Sequence, residues 1–188
     1  MFWTLPTILT WTRIVAIPLI AGVFYLPLTP AACNLIATVM FIVFAATDWL
    51  DGFLARKLNQ TSAFGAFLDP VADKFLVCAS LLVLVHLNRA DVFVALIIIG
   101  REIAISALRE WMAELGARAQ VAVSNLGKWK TAAQMLALVI LLAHPKAFSF
   151  WVVLGYTLLI VSAGLTLWSM VQYLRAAWPH LKTDVEKK

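Results

Sequence analysis

Charge is scarce in this chain: only 13% of its 188 residues are Asp, Glu, Lys or Arg, about half the share of an ordinary soluble domain. Cysteine is scarcer, with Cys33 and Cys78 alone and far apart inside apolar runs. That excludes a disulfide scaffold and a thiolate metal site, and leaves both as small core hydrophobes. His86, His144 and His180 are equally scattered, so no imidazole cluster is available for a metal. Internal repeats and low-complexity segments are missing too. What is abundant is hydrocarbon: 63% of the residues are apolar and mean hydropathy is +0.90. A soluble fold of this size cannot hide that much apolar surface, and a disordered chain would not carry it. The 34 residues between Arg13 and Asp48 carry no formal charge, and neither do the 24 of 151–174. Runs of that length read as membrane spans.

The pattern predicts an all-α integral membrane protein of six transmembrane helices with a short N-terminal interfacial segment and both termini cytoplasmic. Residues 1–13 form the interfacial segment, 14–178 the membrane domain and 179–188 a polar tail. The spans are expected near 14–25, 32 into 48–56, 70–87, 91–108, 131–143 (starting as early as 124) and 148–174. Arg13, an apolar run and Pro30-Ala31-Ala32-Cys33 imitate a lipoprotein signal. Proline three before the cysteine, and the apolar chain that follows, argue against cleavage. The net charge of +5 is then a topology signal rather than a nucleic-acid footprint, and no nucleic-acid partner is expected. With the N-terminus inside, thirteen of the 15 Lys and Arg residues fall on the inner side. Arg89 and Lys146 are the outer two. Trp11, Trp49, Trp129 and Trp178 fall near span ends, where indole rings anchor to the interface.

Four of the ten acidic residues crowd one short window: Asp48, Asp51, Asp69 and Asp73. On a helix Asp48, Asp51, Gly52 and Ala55 share an arc of roughly 100°, opposite Trp49, Leu50, Phe53 and Leu54. The next helix repeats the device, with Gly65, Asp69 and Asp73 at four-residue spacing. Pro70 either marks that helix's first turn, with Asp69 as N-cap, or lies inside a longer helix. Two carboxylates about 4 Å apart repel by on the order of 4 kcal/mol at an effective dielectric near 20. An Asp at the bilayer centre costs about 2.5–3.5 kcal/mol more. Positive charge must sit among them, and hard divalent cations with oxygen ligands fit best, two of them being suited to clamp a phosphate-type group. Ion pairs with Arg56, Lys57 and Lys74 would also balance the charge, but would not need two glycines and an alanine on the same faces.

Asp48-x-x-Asp51-Gly52-x-x-Ala55-Arg56, eight residues, then Gly65-x-x-x-Asp69-x-x-x-Asp73 resembles the CDP-alcohol phosphotransferase signature at every position. The likeness extends over 47–74, 101–116 and 123–134, where the chain is similar to bacterial members whose acceptor is sn-glycerol 3-phosphate. It is weakest in the last span and tail. The resemblance implies transfer of a phosphatidyl group from CDP-diacylglycerol to an alcohol, with release of CMP. It implies two divalent cations, Mg2+ or Mn2+, held by Asp48, Asp51, Asp69 and Asp73, with Asp73 as general base. Asp48, Asp51, Gly52, Ala55, Arg56, Gly65 and Asp69 would contact the nucleotide. It further implies a homodimer in the bacterial inner membrane, among membrane lipids, with the active site facing the cytoplasm. Ser162, Ala163 and Gly164 are small enough to pack between two copies or within one. Pro6-Thr7-Ile8-Leu9-Thr10-Trp11-Thr12-Arg13 is similar to the family's opening motif, with Thr7 where many members have Asn; an interfacial anchor and a functional contact are both open.

A phosphate-bearing acceptor needs cations beside that cluster. Arg101, Arg109, Lys128 and Lys130 are the candidates, with Ser124 as hydroxyl donor; the last three cations could equally be inner-side topology residues. Arg101 is the sharper choice because it interrupts Ile97-Ile98-Ile99 and Ile103-Ala104-Ile105, where a charge needs a reason. Its neighbour Glu102 is one such reason. The alternatives are a sibling enzyme using inositol phosphate, phosphatidylglycerol or serine, and a small cation transporter. Paired halves, common in transporters, are not visible in the sequence.

Overall fold

Six α-helices follow one another through the described residues of this computed structural model, which are 5–58, 63–114, 125–144 and 149–185. Side chains are described for 10–47, 71–112, 129–144, 149–175 and 178. The helices are α1 (Leu5–Gly22), α2 (Pro30–Leu58), α3 (Ala63–His86), α4 (Val92–Glu114), α5 (Asn125–Ala143) and α6 (Phe150–Val185), with a single 3-10 turn at Val23–Tyr25. There is no strand among the described residues.

Local sequence signals set most of the boundaries. Thr29 is the N-cap of α2, its Oγ1 accepting from the Ala32 N–H at 3.3 Å, with Pro30 at the first helical position, where a missing N–H does no harm. Asn88 closes α3 with φ +55°. The Arg89 N–H reaches back to the Leu84 carbonyl at 2.8 Å and the Asn88 N–H to that of Val85 at 3.0 Å, a Schellman closure. Three residues later Asp91 caps α4, its Oδ1 accepting from the Phe93 and Val94 amides at 2.8 and 3.3 Å.

Three expected boundaries move. Pro70 lies inside α3, which begins at Ala63 rather than at 70, so Asp69 is not an N-cap. A Pro early in a helix leaves one carbonyl without its amide partner but does not force a start. The fourth helix continues past 108 to Glu114. The last runs 36 residues to Val185, taking in most of the polar tail expected from 179. α1 runs through Arg13 as one continuous helix.

Among the described residues two helices are long and apolar enough to cross a membrane, over Pro30–Thr47 and Phe150–Arg175. Shorter apolar stretches cover Thr10–Tyr25 and Trp129–Ala143. The periphery is greasy: Leu19, Leu35, Phe75, Leu82, Phe93, Leu96 and Trp168 all point outward, which soluble monomers avoid on this scale.

The interior is one apolar cluster to which all six helices contribute, centred on residues such as Ile20, Phe41, Leu81, Ile98, Leu138 and Leu159. A smaller cluster joins Ile105 and Met112 of α4 to Tyr173 of α6. The α5–α6 contact is extensive and very close at Gly155, where a Cβ would stand 3.0–3.2 Å from Ile140 and Leu141 side-chain atoms. Gly164 faces open space. Overpacking a tight contact costs about 1–3 kcal/mol. Gly155→Val is therefore expected to lower the thermal midpoint in detergent, while Gly164→Ala leaves it unchanged or raises it. Equal midpoints for the two variants would contradict the close contact. Ser162 and Ala163 pack within the chain, and neighbouring Gly164 is exposed.

One end of the bundle is tied by specific contacts. Cys33 Sγ donates to the Val23 carbonyl at 3.4 Å, and the rings of Tyr25 and His86 stack, as do those of His144 and Trp151. Arg89 Nη1 donates to the carbonyls of Leu141 and Leu142 at 3.3 and 3.1 Å, capping the last turn of α5 and opposing its dipole. That task gives Arg89 a structural reason to be there. Both cysteines are free thiols.

Candidate functional site

The signature residues sit at the other end. Beyond the apolar stretch ending at Thr47, α2 continues to Leu58, about 16 Å at 1.5 Å per residue. This extension carries Asp48, Asp51, Gly52, Ala55 and Arg56; α3, which packs against α2, carries Gly65, Asp69 and Asp73 in its first half. Each aspartate pair is thus one helical turn apart on its own helix. The side chains of 48–70 lie outside the described residues, so Asp73 is the one aspartate of the four with a described environment. Among the described residues no three metal-binding side chains gather. The donor chemistry nevertheless fits hard cations: oxygen ligands only, in two one-turn pairs on packed helices.

Asp73 opens onto a cavity of roughly 270 Å³ built from four helices. From α3 come Asp73 and Lys74; from α4 Arg101, Glu102, Ile105, Ser106 and Arg109; from α5 Lys130 and Thr131; from α6 Tyr173. Four of the expected residues, Asp73, Arg101, Arg109 and Lys130, are therefore brought to one place. Cations outnumber carboxylates four to two around this space, a balance that favours a doubly charged anion.

The polar groups are interlocked. Glu102 Oε1 accepts from Arg101 Nη1 and from Lys130 Nζ, the latter at 3.2 Å. The neighbour proposed from sequence to balance Arg101 does so, and it holds a second cation from α5. Arg101 and Lys130 are almost wholly buried, at 7% and 2% exposure, so Lys130 is not simply a surface topology residue. Arg101 Nη2 donates to Ser169 Oγ at 3.2 Å, which in turn donates to the Thr166 carbonyl at 2.9 Å. Arg109 Nη2 donates to Tyr173 Oη at 3.3 Å, and its Cζ lies 5.4 Å from that ring's centroid. The Nε atoms of Arg101 and Arg109 and Oε1 of Gln134, one turn beyond Lys130, are buried without a hydrogen-bond partner. Buried polar groups without a partner are costly unless something else satisfies them.

The sequence did not single out Ser169, Tyr173, Ser106 or Thr131. The α6 pair had a faint signal: Ser162, Thr166, Ser169 and Tyr173 recur at helical spacing, forming a buried polar stripe within the charge-free stretch 151–174 of that helix. Ser124 lies outside the described residues, as does the side chain of Lys128. Arg13 is fully buried, as is Thr10 one turn before it. α1 packs extensively against α3, the helix that carries Asp73. A lipid-interface anchor would not bury this guanidinium.

A model of the CDP-alcohol phosphatidyltransferase family matches residues 3–168. Three curated relatives, all named CDP-diacylglycerol--glycerol-3-phosphate 3-phosphatidyltransferase, align over nearly the whole chain. The Pseudomonas fluorescens protein is 56% identical over 98% of this chain and 95% of its own length. Those of Shigella flexneri serotype 5b and Escherichia coli K12 are each 55% identical over 94% of this chain and 96% of theirs.

Proposed function

The chain belongs to the CDP-alcohol phosphatidyltransferase family, and from that premise we propose that it transfers the phosphatidyl group of CDP-diacylglycerol to sn-glycerol 3-phosphate, giving phosphatidylglycerophosphate and CMP. It is a transferase of phospholipid biosynthesis, and its relatives are named as phosphatidyltransferases. The observation that carries the acceptor is the cavity in which Asp73 meets Arg101, Arg109 and Lys130. A phosphate monoester fits that excess of cations; serine, which has no phosphate, would leave it uncompensated.

In this reading Arg101, Arg109 and Lys130 bind the acceptor's phosphate, with Lys128 and Ser124 as further candidates. Its primary hydroxyl is thereby presented to Asp73. The carboxylate of Asp73 takes the hydroxyl proton as the oxygen bonds to the phosphorus bearing the diacylglyceryl group. The bond from that phosphorus to the bridging oxygen breaks, and CMP departs with the electron pair. Asp48, Asp51, Asp69 and Asp73 would hold two divalent cations, Mg2+ or Mn2+. Such ions, when bound, offset charge on the donor pyrophosphate and the departing nucleotide. Gly52 and Gly65, which lack a Cβ, and Ala55 and Arg56 would line the cytidine nucleotide.

The protein is proposed to be a multi-pass protein of the bacterial inner membrane, with six spans and both termini and the cavity on the cytoplasmic side. The basic-residue asymmetry and the apolar periphery support this orientation. A homodimer is the assembly that the family pattern implies.

Purified protein in detergent, given CDP-diacylglycerol with Mg2+ or Mn2+, tests the reading. The acceptors are glycerol 3-phosphate, inositol phosphate, serine and phosphatidylglycerol in parallel, and CMP release is scored. Glycerol 3-phosphate is expected to give at least about tenfold more CMP than any other acceptor, a difference of about 1.4 kcal/mol in transition-state binding. Release with serine alone would overturn the assignment.

A further inference from the structure

Two of the cavity's cations are held from the part of α6 beyond residue 168, where the match to the family model ends. Arg101 and Arg109 stand about two turns apart on α4, and Ser169 and Tyr173 stand one turn apart on α6. Each pair meets through a hydrogen bond, Arg101 Nη2 to Ser169 Oγ and Arg109 Nη2 to Tyr173 Oη. Tyr173 is itself fixed, 8% exposed and packed with Ile105 and Met112. Its ring lies against the Arg109 guanidinium. A guanidinium has five N–H donors in a rigid plane; one bond to a phenol oxygen and one ring contact orient that plane while leaving other donors for a ligand.

The chemistry of the holders matters. Glu102 already offsets charge on Arg101 and Lys130. Tyr173 and Ser169 are neutral, so they orient their arginines without cancelling charge that a phosphate needs. A carboxylate at either place would orient equally well and weaken the site.

We propose that Tyr173 and Ser169 are positioning residues for the phosphate-bearing acceptor, holding Arg109 and Arg101 in place before it binds. This rests on the functional reading above, and it adds α6 to the specificity machinery. Pre-organised donors lose less conformational freedom on binding, so the effect falls on acceptor affinity rather than on the chemical step.

The test uses the full chain in detergent, measuring kcat and both KM values for wild type, Tyr173→Phe, Ser169→Ala and Ser169→Thr. Loss of one hydrogen bond to a charged group corresponds to a factor of about ten or more in binding. Tyr173→Phe, which keeps the ring, is expected to raise KM for glycerol 3-phosphate about tenfold. Its kcat and its KM for CDP-diacylglycerol stay within about twofold of wild type. Ser169→Ala shifts acceptor KM in the same direction by a smaller factor, and Ser169→Thr restores it. An unchanged acceptor KM in both Tyr173→Phe and Ser169→Ala overturns the proposal, and so does an equal rise in both KM values, which marks general loosening. Should Tyr173→Phe fail to fold, the serine pair decides alone. If wild type releases no CMP with glycerol 3-phosphate, the functional reading has failed; if wild type works and the variants match it, the positioning role alone has failed.

Discussion

Asp73→Asn is expected to reduce kcat by a factor of about 10²–10⁴, the range over which a positioned base contributes, while the protein still folds. Asparagine matches aspartate in size and keeps one carbonyl oxygen in place, but cannot take the proton of the attacking hydroxyl. Asp73 is half-buried at the edge of the cavity rather than deep in the apolar cluster, so the change removes charge without opening a void. The measurement is CMP release at saturating donor and acceptor, alongside thermal melting in detergent to confirm an unchanged fold. Turnover within a few-fold of wild type would mean that another group accepts the proton, and Asp73 would then keep at most a structural role.

Arg101→Gln should be nearly as damaging, through the acceptor. The guanidinium is almost buried on α4 and shared between Glu102 and Ser169. Removing it leaves Glu102 with Lys130 as partner, so the carboxylate is not stranded and the fold is expected to persist. Losing a charge-assisted contact to phosphate in a low-dielectric site lowers kcat/KM for glycerol 3-phosphate by a factor of about 10²–10³. Affinity for CDP-diacylglycerol, read by titration calorimetry, should change little. A normal acceptor KM in this variant would show that Arg101 serves the bundle and not the substrate.

The comparison between sequence and structure turns on what each signal can encode. Six helices were legible because charge-free runs are long, and the aspartate motif because it lies within one window of the chain. Arg101 was legible because a charge inside an isoleucine-rich helix contradicts its surroundings. Tyr173 and Ser169 were not, since their partners lie 64 and 68 residues away and serine and tyrosine are unexceptional in a membrane-type helix. The start of α3 was misplaced because proline in a first turn and proline inside a helix look alike without the neighbouring chain. Burial of Arg13 was hidden for a related reason. A basic residue at a span end satisfies the topology rule whether it faces lipid headgroups or is enclosed between helices. Pairing of Glu102 with Arg101 was within reach of local reading, but its second bond to Lys130 needed α4 and α5 brought together.

The clasp of Arg89 on α5 also has an electrical consequence. Its guanidinium faces the negative pole of that helix, equivalent to roughly half an elementary charge, which offsets about half of its own. Asp91, two residues on, offsets the rest, so among the described residues this end carries little net charge, while the basic side chains of the cavity lie toward the other. Across a bilayer that is negative inside, each such charge would favour the inner side by about 2.3 kcal/mol per 100 mV, in the sense of the orientation proposed above.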